Sequence, residues 1–262
     1  MLIFCRDKKR LREHFLKDRV LFAYHLGDLD DFFFDDCQCA VLNDSRGRVE
    51  ECLLTYFGCD SPSVLAFGLS DRFVELTIEL RNLLPDRFYC HYQRDLPRRL
   101  IADYEQCDLG RHQKMQLERF IPCQSENCSE YRIVRLDNSH TEDLRQLYAL
   151  SYPDNYFVPR MLLTGKYMGA FDNDKLVGVT GVHVDSDEYK ITVLGNITTH
   201  PEYRSKGMAS ILTSRLLSEL TDEKKLICLN VSAENKAAIA CYQRLGFVTV
   251  HNYREALFTR IV

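Results

Sequence analysis

Arg204-Ser205-Lys206-Gly207-Met208-Ala209 sets two cations and a glycine between an apolar stretch, residues 191–198, and an apolar-periodic run, residues 209–220. A turn of this composition at a helix start aims several backbone N–H groups at one point, where the positive end of the helix dipole reinforces them. The chemistry it suits is the holding of a phosphorylated ligand, a diphosphate above all. One glycine and two cations also fit an ordinary strand-to-helix turn with Arg204 and Lys206 in solvent. No G-x-x-x-x-G-K-[ST], G-x-G-x-x-G or G-x-S-x-G run occurs in the chain, which removes three other glycine-dependent readings.

A second run carries polar groups at helical spacing. Residues 235–245 are good helix formers, and Gly246 stands where such a helix ends. Asn235, Ala238 and Tyr242 fall at i, i+3 and i+7 and so share a face. An amide, a small residue and a phenol in line suit the flank of an extended ligand. Asn235 as an N-cap and Tyr242 as a core tyrosine is the other account, and both roles can hold at once.

Taken in order, the R-x-x-G-x-A loop at 204–209, the helix after it, the strand 226–231 and the N-x-x-A-x-x-x-Y-x-x-x-G-F run at 235–247 resemble the GNAT superfamily of acyl-CoA-dependent N-acyltransferases. The resemblance covers residues 131–262. It implies an α/β layered fold with a mixed, mostly antiparallel sheet, a bulged strand before the pyrophosphate loop, and a parallel neighbour that splays away so that pantetheine lies in the gap like an added strand. It implies acetyl-CoA as cosubstrate and a primary amine, of a small molecule or a protein, as acceptor. On this resemblance the backbone of Ile197 meets the thioester carbonyl, where an N–H stabilises the developing oxyanion, and Thr199 meets the pantetheine arm. Arg204, Ser205, Lys206, Gly207, Met208 and Ala209 hold the pyrophosphate. Asn235 contacts pantetheine or pyrophosphate with Ala238 beside it, and Tyr242 protonates the leaving thiolate. A module that binds acyl-CoA without turnover is the competing reading.

The general base is not given by the resemblance. Many family members place a glutamate on the strand leading to the loop, whereas residues 191–196 here contain no carboxylate. His183, Asp187, Glu188, His200 and Glu234 are near in sequence and none stands out; His183, closing a strand over 176–184, is the best placed to face the site, and a packing or surface histidine is the other account of it. An amine already deprotonated would need no strong base.

Composition narrows the setting. Of 262 residues, 45% are hydrophobic, enough for substantial cores. A net charge of -4 argues against bulk nucleic-acid binding, and no run approaches a membrane span or a signal-peptide core, so a cytoplasmic protein is expected. The 11 cysteines include no C-x-x-C pair, and reduced, buried thiols are the natural account, with no metal.

The punctuation orders the second half as a helix from a Ser139/Glu142 capping box to 151, a short helix from Pro159 to Gly165, and an antiparallel meander of 167–171, 176–184 and 189–198. Two closing strands, 247–251 and 253–260, follow the 235–245 helix. In the first half, residues 6–19 read as an amphipathic helix with Leu11 and Phe15 inward. The block 28–36 reads as three core phenylalanines among solvated aspartates. Strands at 37–42, 49–57 and 63–67, a helix 71–84, a strand 87–91, a helix near 96–104 and a strand 114–119 repeat the order of the second half. The expectation is a degenerate GNAT-like domain, 1–128, ahead of the acyltransferase domain, 129–262. In the first domain Asp71, at the helix start, fills the anion position.

Overall fold

The computed structural model describes residues 3–59, 61–94, 96, 101–123, 130–153, 155–223 and 225–261. By contacts the chain forms two compact units, Met1–Lys114 with Ser232–Glu234 and Val250–Val262, and Met115–Val231 with Asn235–Thr249. The 128/129 boundary expected from sequence lies outside the described residues.

The first unit runs β1 (Ile3–Phe4), α1 (Lys8–Phe15), α2 (Ala23–Asp28), α3 (Asp31–Phe34), β2 (Cys37–Asn43), β3 (Val49–Tyr56), β4 (Ser63–Ala66), α4 (Arg72–Glu79) and β5 (Arg87–Tyr92), and β6 (Tyr104–Leu117) begins in it. Asp7 caps α1 by accepting from Arg10 N at 3.1 Å, and Leu11 and Phe15 are fully buried while the basic residues face out. Strands β1 to β5 lie side by side in chain order, antiparallel from β1 to β4 and parallel between β4 and β5. The strand on the far side of β5 is supplied by the end of the chain, Arg254 opposite Tyr92 through Thr259 opposite Arg87.

Three details of this unit differ from expectation. Asp28 is not solvated but 5% exposed, and burial pushes its carboxyl pKa up to about 8. Its place on the inward side of α2 outweighs its membership of an acidic run. β6 starts at Tyr104, ten residues before the expected 114, because its polar first half does not alternate as a half-buried strand should. Of the helix expected near 96–104, residues 97–100 lie outside the described residues, and Tyr104 is already strand.

The second unit continues with β7 (Arg132–Arg135), α5 (Thr141–Ser151), β8 (Met168–Asp172), β9 (Lys175–Ser186), β10 (Ile191–Thr199), α6 (Met208–Asp222), β11 (Leu226–Ser232), α7 (Lys236–Arg244) and the start of β12 (Phe247–Arg260). Its strand order is β7-β8-β9-β10-β11, antiparallel except for the parallel pair β10 and β11. A mixed, mostly antiparallel sheet is therefore present in each unit, as expected. Leu212, Leu216, Leu217 and Leu220 of α6 are all fully buried, which fixes the helix that the basic loop introduces.

The start of α5 corrects the sequence reading. Asp137, not Ser139, opens the turn, accepting from Ser139 N at 2.9 Å, while the His140 ring returns to the Asp137 N–H at 3.2 Å. An aspartate two residues earlier offers a stronger acceptor than the serine. The two expected closing strands are one continuous strand, β12.

Candidate functional site

β10 and β11 pair from Ile191 with Leu226 to Leu194 with Leu229, and the pairing stops there although both strands continue. Against β9, the register of β10 slips between Gly195 and Thr198. The extra residue is accommodated where Asn196 adopts φ 55°, a left-handed conformation that asparagine tolerates. The side chain of Asn196 donates to the Tyr167 hydroxyl at 2.9 Å, and its carbonyl accepts from the Tyr148 hydroxyl at 3.0 Å. Tyr167 in turn donates to Val182 O at 2.8 Å. The bulge that parts the two strands is thus pinned by two buried tyrosines that sequence reasoning did not single out.

Ile197 and Thr199 lie on β10 past the bulge, Ile197 half-buried and Thr199 buried. On β11, Asn230 is the residue after the last one paired with β10. Its Nδ2 is buried and finds no hydrogen-bond partner among the described residues. A buried donor without an acceptor is costly, and a ligand in the gap would supply one. Asn230 was missed in the sequence because nothing in its local run distinguishes it from a strand residue.

The loop beyond β10 combines a left-handed Ser205, φ 64°, with a left-handed Gly207, φ 84°, as N-cap of α6. Gly207 contributes no side-chain cap, and the first α6 bond back to the loop is Ile211 N to Gly207 O at 3.0 Å. The backbone N–H groups of 205–210 have no protein acceptor among the described residues. Such a run of open donors at a helix N-terminus is an anion nest. Lys206 is exposed above it with its ammonium 5.1 Å from the Tyr203 ring. Met208 packs under the loop onto β9, where a Cβ on Gly178 would fall 2.7 Å from Met208 Cγ, and Ala209 is half-buried.

Arg204 stands differently from its neighbours. Its Nε donates to Thr199 O and its terminal nitrogen to Ser151 O, each at 3.1 Å, and its own N–H goes to Pro201 O at 3.3 Å. The guanidinium ties the loop to the end of β10 and to the end of α5. It shapes the nest rather than opening onto it.

Asn235 is the N-cap of α7, accepting from Ala238 N at 3.1 Å. Its remaining amide donors are on an exposed residue, with half-buried Ala238 a turn further on. Tyr242 is 8% exposed, edge-on to Phe247 at 6.0 Å, and its hydroxyl has no hydrogen-bond partner among the described residues. Burial raises its pKa well above the ordinary phenol value, so the proton stays on at neutral pH. Gly246 ends α7 at φ 97°, and a Cβ there would fall 1.7 Å from Arg119 O.

Among the candidate bases, Asp187 and Glu188 sit on the turn before β10, about 20 Å of strand from Ile197. Asp187 is also held by Lys225 at 2.9 Å. His200 is 6% exposed and caps a turn through Glu202 N at 3.3 Å; Glu234 is exposed. His183, half-buried on β9, stacks on Tyr156 with ring centres 6.0 Å apart. Two surface hollows, about 430 and 760 Å³, share Tyr203 and Asp172 in their walls, and Lys206 lines the smaller.

In the first unit the corresponding loop is closed by the protein itself. Both oxygens of Glu51, a fully buried residue of β3, accept from the loop, from Leu69 N at 3.1 Å and Ser70 N at 2.6 Å. This corrects the role expected of Asp71, which makes no cap and instead pairs with Arg94 at 2.8 Å. The anion comes from a neighbouring strand rather than from the helix start.

Against protein families, residues 129–247 match the acetyltransferase (GNAT) family. The segment is a GNAT domain. The L-amino acid N-acyltransferase MnaT of Escherichia coli is 33% identical over 63 residues, 24% of this chain and 37% of that protein. An uncharacterized protein of Mycobacterium leprae, ML0378, is 37% identical over 87 residues, 31% of this chain and 22% of that one. The chain thus spans well under half the length of either curated relative. Among solved structures, a Drosophila protein superposes with a TM-score of 0.74 at 15% identity, covering 98% of both chains. A tandem GNAT protein from the clavulanic acid pathway gives 0.57 at 13%, also over 98% of both. The second superposition gives the chain, over both halves, a fold similar to that of a tandem GNAT protein.

Proposed function

We propose that the chain is an N-acyltransferase that moves an acyl group, acetyl in the working form, from its CoA thioester to a primary amine by direct attack. Residues 129–262 are the acyltransferase domain and 1–128 a GNAT-like partner that holds no cosubstrate. The observation that carries this reading is the row of N–H donors at 205–210 without a protein acceptor among the described residues, in the loop that follows β10 after its pairing with β11 has stopped. The nest fits a pyrophosphate in charge and in donor count, and the gap fits an extended arm hydrogen-bonded along β10.

In this assignment Ser205, Lys206, Gly207, Met208 and Ala209 hold the diphosphate, and Arg204 keeps their loop in shape. Thr199 and Asn230 face the pantetheine arm, with Asn235 and Ala238 along α7. The backbone at Ile197 stabilises negative charge on the carbonyl oxygen as the amine adds. Tyr242 gives its proton to the departing thiolate sulfur. The loop 152–159 borders the acceptor, and since one relative is named for L-amino acids, free amino acids head the acceptor panel.

The test is acetyl-CoA binding by thermal shift, followed by CoA release with L-amino acids, polyamines and peptides bearing free N-termini. A shift with amine-dependent release supports the assignment. A shift without release on any amine would make the chain an acyl-CoA-binding module, and no shift removes the site.

A further inference from the structure

β10 carries no side chain at position 195, and the space beside it is filled from the next strand. A Cβ built on Gly195 would fall 1.8 Å from His183 Cδ2 and 2.1 Å from His183 Nε2. The imidazole therefore stands where a side chain of β10 itself would stand, level with the bulge and two residues before Ile197. The register agrees, Leu194 lying opposite Val182 and Gly195 opposite Gly181. Tyr156, from the loop assigned to the acceptor, covers the ring in a near-parallel stack, 23° between planes. His183 is half-buried, with its Cδ2–Nε2 edge turned to the Gly195 backbone.

Resting on the acyltransferase reading, we propose that His183 is the catalytic base for the acceptor amine, standing in for the carboxylate that β10 lacks, and that Gly195 is there to admit its ring. The neutral imidazole accepts at Nε2 the proton that the amine nitrogen sheds as its lone pair forms the new C–N bond. The C–S bond breaks, its electron pair leaves on sulfur, and the Tyr242 proton neutralises the thiolate. Each proton has one donor and one acceptor, and no further reactant is consumed. The other candidates lack this placement: Asp187 and Glu188 are a strand's length away, His200 lies past the end of β10, and Glu234 belongs to the first unit.

The experiment uses the full chain, acetyl-CoA and the best amine of the panel. His183→Ala is expected to lower kcat about a hundredfold, in the range general bases contribute, while the acetyl-CoA thermal shift keeps its size. Added imidazole is expected to restore part of the rate, which a packing role would not allow. Gly195→Ala, which pushes the ring out of place, should lose rate in the same way with the shift intact, and it is insensitive to any structural need for the histidine itself. Turnover of His183→Ala within twofold of wild type, or loss without imidazole rescue and with Gly195→Ala fully active, overturns the role of His183. A wild-type protein that binds acetyl-CoA yet acylates no amine overturns the acyltransferase reading, and the proposal falls with it.

Discussion

Glu51 Oε1 accepts the backbone N–H of Ser70 at 2.6 Å, so the first unit meets with its own carboxylate the donors that the second unit leaves open at 205–210. A charged acceptor with two backbone donors contributes about 1.5–3 kcal/mol per bond. Glu51→Ala is expected to lower unfolding stability by about 3 kcal/mol in urea titration, with the acetyl-CoA shift of the remaining folded protein unchanged. The wild type should bind one acetyl-CoA per chain by calorimetry. A stoichiometry of two would mean that Glu51 does not close the first loop.

Gly207 sits at φ 84° in the centre of the nest. Gly207→Glu places a side chain and a negative charge where the diphosphate is assigned, at a backbone angle that L residues rarely adopt. The acetyl-CoA thermal shift should vanish while the ligand-free melting temperature falls by only a few degrees. A full-sized shift would move the phosphate site elsewhere.

Tyr242→Phe removes one hydroxyl from a buried ring. If that hydroxyl acts during thiolate departure, kcat should fall about a hundredfold, with acetyl-CoA affinity within about twofold of wild type. Because burial raises the phenol's pKa, the wild-type rate should show no loss of this acid up to pH 10. Unchanged turnover would give the proton to another donor.

Burial raises the Asp28 carboxyl pKa from the ordinary solvated value of 3.8 to about 8. Between those values the unfolded chain has lost the proton and the folded chain has kept it. The unfolded state binds fewer protons, so this group makes stability fall as pH rises, by up to about 1.4 kcal/mol per pH unit. Asp28→Asn should be the more stable protein at pH 7 and should flatten the decline between pH 5 and 8 in denaturant midpoints. A variant less stable than wild type at pH 7 would show that Asp28 is ionised in the fold.

Lys225 has a fully buried side chain that meets Asp185 at 2.8 Å and Asp187 and Glu223 each at 2.9 Å. Lys225→Ala strips the cation from beneath Asp185, itself largely buried, and should cost about 3–5 kcal/mol. Lys225→Met, which keeps the stem, should cost less only if Asp185 can reach water. Urea titrations of both variants read the difference directly.

What could be read in the sequence was what lies in contiguous runs. The 204–209 loop, the α6 helix behind it and the face shared by Asn235, Ala238 and Tyr242 are set by neighbours within a few residues, and helical spacing exposes them. The bulge was implied only by resemblance, because its anchors, Tyr148 and Tyr167, are 48 and 29 residues from Asn196. Glu51 is 19 residues from Ser70 and looks like any strand acid until the loop closes on it. His183 could be named as a candidate, but the vacancy at Gly195 that gives its ring a place belongs to the pairing of two strands. The allegiance of residues 250–260 had no local signature either, since a strand does not state which unit it will join.

That allegiance sets an order of assembly during synthesis. The first unit cannot complete the pairing of β5 until the partner segment 254–259 has been made, long after its other strands have left the ribosome. The residues of the second unit, through Thr249, are all available before that segment. The half made first is thus the half finished last, and β5 waits as an unpaired edge in the meantime, open to any other extended chain nearby.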